Sequence, residues 1–261
     1  MRGKAMAVRL YFHQSCATSR EVILGVSRRG LLERVELMPL DSGIESLKAG
    51  AWSVPWIVID GRPVATDPVT ADEAAEIISG GKIDVGDPLD AFMNAVLHSS
   101  LATALTLLHG SVAAVADPSL ASAAARSPLT GVDPEALAAR VRAEGDRLFL
   151  EWRDKLRRAA AVSYVRELYW ASGGAITAEE LAAHATQASV GAWLIAKGSL
   201  GRAALPPRPK GVAREDAEWI ASFVRRAARG LLEKVREEQE SIYSDSEYLG
   251  LLRARGINIP P

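Results

Sequence analysis

The eleven residues 55–65, PWIVIDGRPVA, constrain the fold more than any other stretch. An apolar run, the pair Asp60-Gly61 and a short return strand read as a hairpin, because Asp-Gly takes the turn that matches strand twist. The residues around it supply more strands and helices. VRLYF (8–12) is a β-branched and aromatic run of the kind that fills a central strand. REVILGVSRRG (20–30) changes period: Val22, Ile23, Val26 and the following Leu31 share a helical face, and Gly30 suits the helix end. ERVELMPL (33–40) reads as a second strand, followed by a Gly-interrupted stretch with one helical turn expected at 44–49. Thr70-Ala-Asp-Glu73 is a capping box, opening a helix that turns Ala74, Ile77 and Ile78 inward.

The order is strand, helix, strand, short helix, strand, hairpin strand, helix. Crossover rules make the first two strands parallel and the last two antiparallel, in a small mixed sheet with helices on both faces. That is the order of the thioredoxin fold. The polar, Gly-rich SGGKIDVGDP (79–88) reads as a boundary. The expected organisation is α/β plus all-α: a thioredoxin-like domain over 1–80, a linker over 81–87 and a helical bundle over 88–261. The bundle pattern gives one helix from Pro88 through about 115 and another from Pro134 that runs on or kinks until Gly173. A third starts at the Thr177/Glu180 capping box and ends near Gly198. A fourth carries the stripe Trp219, Ile220, Phe223, Val224, Ala227, Leu231 and Val235. Ser244 with Glu247 is expected to cap a short last helix, and 117–132 and 201–211 read as loops.

Of the 261 residues, 48% are hydrophobic and 24% charged, the balance of a globular protein with a sizeable core. A net charge of −1 argues against nucleic acid or an anionic membrane as the main partner. No apolar run approaches the roughly 18 residues that cross a bilayer. The opening MRGKAMAVRLYF is too short and too quickly charged for a secretory signal. One cysteine forms no internal disulfide, so a cytoplasmic location is expected. His98 and His109, eleven apart on the expected first bundle helix, stand about 16 Å apart along its axis. No metal site is expected.

That cysteine, Cys16, follows the first strand in YFHQSCATSR and directly precedes the first helix. Unpaired backbone N–H groups converge there and favour negative charge, so the thiol is expected below the free value of about 8.5. Ser19 is placed to donate its hydroxyl to the sulfur, and Arg20 adds positive charge. The competing reading is a buried structural thiol. His13, three residues earlier, reads equally as a stabiliser of the thiolate or as a solvated loop residue. Val54-Pro55 opens the hairpin. A cis bond there exposes the backbone of Val54 to an extended ligand, whereas a trans proline merely starts the strand.

YFHQSCATSREVILGVSRRGL followed by SVPWIVIDGRPVATD resembles the N-terminal domain of the glutathione S-transferase and glutaredoxin superfamily. The helical remainder has the length and character of a transferase C-terminal domain. The resemblance implies that Cys16 is the active-site thiol, with Ser19 in the place of the resolving cysteine. It implies that Val54, beside a cis Pro55, pairs with a bound thiol peptide, and that Thr66 and Asp67 hold the γ-glutamyl end of glutathione. Ala17 stands where glutaredoxins favour proline, and Pro68 where transferases usually show serine. The expected activity is a thiol-dependent oxidoreductase or glutathione transferase-like enzyme acting on a disulfide or electrophile. It binds no cofactor tightly and is resolved by glutathione or another low-molecular-weight thiol. Transferase-like chains often pair as two-fold homodimers, and the resemblance carries that expectation. The alternative is a catalytically silent transferase-like chain serving protein–protein interaction.

Overall fold

The computed structural model describes residues 7–40, 49–200 and 212–259. Four strands, β1 (Val8–Phe12), β2 (Val35–Pro39), β3 (Trp56–Ile59) and β4 (Arg62–Thr66), form one sheet in the order β2-β1-β3-β4. β1 runs parallel to β2 and antiparallel to β3, and β3 antiparallel to β4, which is the mixed sheet the element order predicts. The parallel pair is linked by helix α1 (Ala17–Arg28) and a 3-10 turn, Leu32–Arg34. The antiparallel pair is linked by Asp60 and Gly61, both at positive φ (47° and 80°), the conformation a tight hairpin turn demands. Helix α2 (Ala71–Ser79) opens on the complete Thr70/Glu73 capping box, both reciprocal bonds measuring 3.1 Å.

The helices that follow are α3 (Pro88–His98), α4 (Ser100–His109), α5 (Pro118–Ala124), α6 (Pro134–Ala171), α7 (Ala178–His184), α8 (Gln187–Leu200), α9 (Val212–Tyr243) and α10 (Ser246–Ala254). Several depart from the periodicity, each for a local reason. The helix expected from Pro88 to about 115 is two, because the Ser99 hydroxyl accepts from Ala102 N–H and starts α4. His98 and His109 therefore stand on different helices. The stretch 117–132, expected as a loop, contains α5: Asp117 caps it and Pro118 occupies its first turn. The third expected helix breaks after His184, where Thr186 and Ser189 exchange backbone-to-hydroxyl bonds of 3.0 and 3.1 Å and begin α8. The last helix is capped by Asp245, which accepts from Tyr248 N–H at 3.0 Å, rather than by Ser244. The turn expected at 44–49 falls largely, and the loop 201–211 wholly, outside the described residues.

The described residues form two compact units. The first draws on Met1–Ala95, Asp117–Ala139 and Ser241–Pro261, the second on Val96–Ala116 and Arg140–Glu240. The sheet unit is thus assembled from three stretches of chain rather than from its beginning alone. Its core joins Leu10 and Phe12 of β1, Val22 and Ile23 of α1, Ile57 of β3 and Ile77 of α2. Ile242, Tyr248 and Leu252, from the far end of the chain, join the same cluster. Cross-strand partners share a face, so Leu10, Ile57 and Ala65 line this core while Tyr11, Trp56 and Thr66 point the other way.

Helix α1 lies so close to α2 that a Cβ on Gly25 would stand 2.4 Å from that of Ala71. Gly25→Ala gains about 1 kcal/mol of helix propensity but forces the two helices apart, which costs about 1–3 kcal/mol. We expect a net loss in urea unfolding, largely restored by adding Ala71→Gly.

In the second unit, α9 buries Ala217, Ile220, Ala221, Val224, Ala228, Leu232 and Val235. The stripe read from sequence is rotated. Trp219 and Phe223 sit half-buried at its shoulder, stacked at 5.3 Å, beside the guanidinium groups of Arg157 and Arg158 at 5.4 and 5.7 Å. Asp216, fully buried, accepts from Arg153 Nε at 2.9 Å and Arg157 Nε at 2.6 Å on one oxygen. Trp152 and Tyr164 are core residues, Tyr164 meeting Trp193 edge-on at 5.7 Å. Among the described residues no single helix is long and apolar enough to cross a membrane.

Candidate functional site

The sheet topology decides which residues can meet. β1 and β4 end, and β3 begins, at the same edge of the sheet, because β3 runs against both neighbours. His13–Cys16 leave β1 there, Val54-Pro55 enter β3 there, and Thr66-Asp67 close β4 there. Trp56, directly after Pro55, pairs with Thr66. The sequence-predicted residues thus gather at one edge although they span 55 positions of chain.

Cys16 is the N-cap of α1, in extended conformation (φ −99°, ψ 119°). Its sulfur, half-buried, accepts from the backbone N–H of Ser19 at 3.4 Å and donates its proton to the Val54 carbonyl at 3.5 Å. The first bond favours the thiolate and the second the thiol. The expected bond from the Ser19 hydroxyl does not form. Ser19 is fully buried, its backbone serves the sulfur, and its Oγ has no partner among the described residues. The Val54–Pro55 peptide is cis, as is Asp67–Pro68.

His13 is half-buried and is held within its own loop: its carbonyl accepts from Cys16 N–H at 3.1 Å, and its Nδ1 from Ser15 N–H at 3.2 Å. The imidazole thereby shapes the turn before the cysteine. Thr66 and Asp67 are buried, and Thr66 Oγ1 has no partner among the described residues. The turn after them is held by Arg126, a buried residue at φ 56°. Its guanidinium donates to the carbonyls of Ala123 (3.1 Å), Ala124 (2.9 Å) and Pro68, and to Glu73 at 3.3 Å. Among the described residues no three His, Cys, Asp or Glu side chains are grouped closely enough to hold a metal.

Sequence reasoning missed the grip of the C-terminal segment on the cysteine loop. Tyr248 OH donates to the Gln14 carbonyl at 3.2 Å, and Gln14 Nε2 to the Asn258 carbonyl at 2.8 Å. Ser15 Oγ and Tyr243 OH share a hydrogen bond of 2.6 Å. Arg20 donates to the Ser241 carbonyl and hydroxyl at 2.8 and 2.9 Å, with Asp245 at 3.9 Å. Arg28 forms a two-pronged pair with Glu247 at 3.1 and 2.6 Å. These contacts link positions 219 to 244 residues apart, which no local pattern signals.

The Arg28 hydrogen bonds hold the Glu247 carboxyl below its ordinary value of 4.5. A carboxyl lowered in the folded state adds stability that is present above its unfolded value and lost as pH falls through the folded one. The pair is exposed, so the effect is small and weakened by salt. Melting temperature is expected to fall below pH 4.5, and less steeply in Arg28→Ala.

Compared with protein-family models, curated proteins and solved structures, the chain matches none of them.

Proposed function

We propose that the sheet unit is a thioredoxin-like domain of the glutathione transferase and glutaredoxin kind, and that Cys16 is its working thiol. The reaction is thiol–disulfide exchange or a closely related thiol transfer. In exchange, the Cys16 thiolate attacks one sulfur of a disulfide. A Cys16–substrate disulfide forms, the original bond breaks, and the other half leaves as a thiolate. The chain has no second cysteine, so glutathione or another small thiol, itself as thiolate, attacks the mixed disulfide and releases Cys16. In the transferase form, the same helix end holds a cosubstrate thiolate that attacks an electrophile.

The observation that carries the proposal is the sulfur at the head of α1, accepting a peptide N–H at 3.4 Å while half-exposed. A twelve-residue helix presents partial positive charge at that end. The S–H bond to Val54 opposes ionisation, and a ligand whose own N–H takes the Val54 carbonyl relieves that opposition. Thr66 and Asp67, at the same edge, are proposed to receive the polar end of the thiol cosubstrate.

The test is incubation of the native protein with glutathione disulfide, followed by mass spectrometry. One glutathione adduct on Cys16, discharged by excess thiol, supports the proposal; an unmodified chain rejects exchange with this disulfide. The S–H···Val54 bond favours a second reading, a catalytically silent interaction protein with a satisfied, protonated thiol. An unreactive Cys16 decides for it.

A further inference from the structure

Two tyrosines of the C-terminal segment reach the cysteine loop, and they differ in burial. Tyr248 is fully buried, and its ring belongs to the core of the sheet unit. Tyr243 leaves 42% of its surface exposed, so its placement rests on burial less than that of Tyr248 does. What Tyr243 does make is a hydrogen bond of 2.6 Å to Ser15 Oγ, at the short end for two hydroxyls. Ser15 is buried and immediately precedes Cys16. Its N–H is already committed to His13 Nδ1 at 3.2 Å, so the Tyr243 bond fixes Ser15 by its side chain as well.

We infer that Tyr243 is a positioning residue for Cys16, acting through Ser15; this rests on the proposed role of Cys16 as a reactive thiol. The sulfur interacts with Ser19 N–H and the Val54 carbonyl at 3.4 and 3.5 Å, ordinary lengths for sulfur, and both contacts depend on where the loop places Sγ. Holding Ser15 sets the torsions that aim Sγ at the helix end. The last turn of α9 is itself anchored, because Arg20, one turn into α1, grips the Ser241 carbonyl and hydroxyl. The contact is thus a closed loop: α1 holds residue 241, and residue 243 holds the residue before the cap of α1. The ionisable side chains in this set of contacts are His13, Arg20, Tyr243, Asp245 and Tyr248.

The test is the rate of Cys16 alkylation by iodoacetamide against pH, followed by mass spectrometry of the native protein. Tyr243→Phe keeps the ring and removes the hydroxyl. It is expected to move the midpoint upward and to slow the reaction at pH 7 about 3- to 10-fold, the effect of losing one hydrogen bond. Ser15→Ala removes the other half and is expected to match it, the double variant being no slower than either. Ser15→Thr retains a hydroxyl and is expected to keep the wild-type profile. If Tyr243→Phe does not fold, Ser15→Ala and Ser15→Thr carry the same comparison. Variants that melt earlier but keep the wild-type profile overturn the inference and leave Cys16 as a reactive thiol. A wild-type midpoint at the free-thiol value overturns both.

Discussion

Replacing Asp216 by alanine is expected to cost the protein about 3–5 kcal/mol, nearer the lower figure, because removing one partner strands buried opposite charge. Asp216 is fully buried, and one of its oxygens receives both Arg153 and Arg157. The Arg157 side chain is itself only 8% exposed, so water cannot replace the lost carboxylate. What remains is Glu215, 66% exposed, at 3.0 Å from Arg153 and 3.3 Å from Arg157, and Asp154, 77% exposed, at 3.4 Å from Arg157; these soften the loss without removing it. Asp216→Asn keeps an acceptor oxygen and is expected to fall between wild type and alanine. Urea unfolding of the three proteins measures the series. A small alanine effect indicates that the arginines reach solvent or another acid in the variant.

Cys16→Ser is expected to separate chemistry from folding. Serine is a preferred N-cap and accepts from the N–H that the sulfur now takes, so stability is expected to change by no more than about 0.5 kcal/mol. Exchange activity, by contrast, is expected to fall about a thousandfold or more, because a serine hydroxyl is neither ionised near neutral pH nor able to form a disulfide. Urea unfolding and turnover of a small disulfide with excess thiol are read on the same preparation. Retained turnover in Cys16→Ser removes the thiol from the mechanism. Lost folding instead shows that the sulfur is chiefly structural, as its bond to Val54 allows.

The parts of this architecture visible in the sequence are those written in local chemistry. Asp60-Gly61 names its turn, Thr70 with Glu73 names its helix start, and the β-branched and aromatic run VRLYF stands apart from the helical period that follows it. Helix breaks were less legible, since Ser99 and Thr186 act as caps only once their hydroxyls reach N–H groups in the next turn. A serine in an apolar run carries no mark of that choice. Position also misled for Ser19, whose hydroxyl stands three residues from the sulfur while its backbone makes the bond. At the candidate site, Cys16 stands out as the residue between a strand and a helix and Val54 as the residue before the hairpin proline, while Thr66 comes only from the family resemblance; sheet topology brings the three to one edge. Tyr243, Ser241 and Arg126 do not stand out, because they arrive from distant chain and obey no period. The burial of Tyr248 and Leu252 in the sheet unit follows the same logic: the apolar face of a short last helix does not name the core it joins.

The head of α1 is proposed to keep the Cys16 sulfur ionised more readily than a free thiol. The most direct measurement of this is the pH dependence of iodoacetamide alkylation of the native wild-type chain. A midpoint clearly below about 8.5 is the predicted result. A midpoint at or above that value, or labelling that begins only when the protein unfolds, contradicts it.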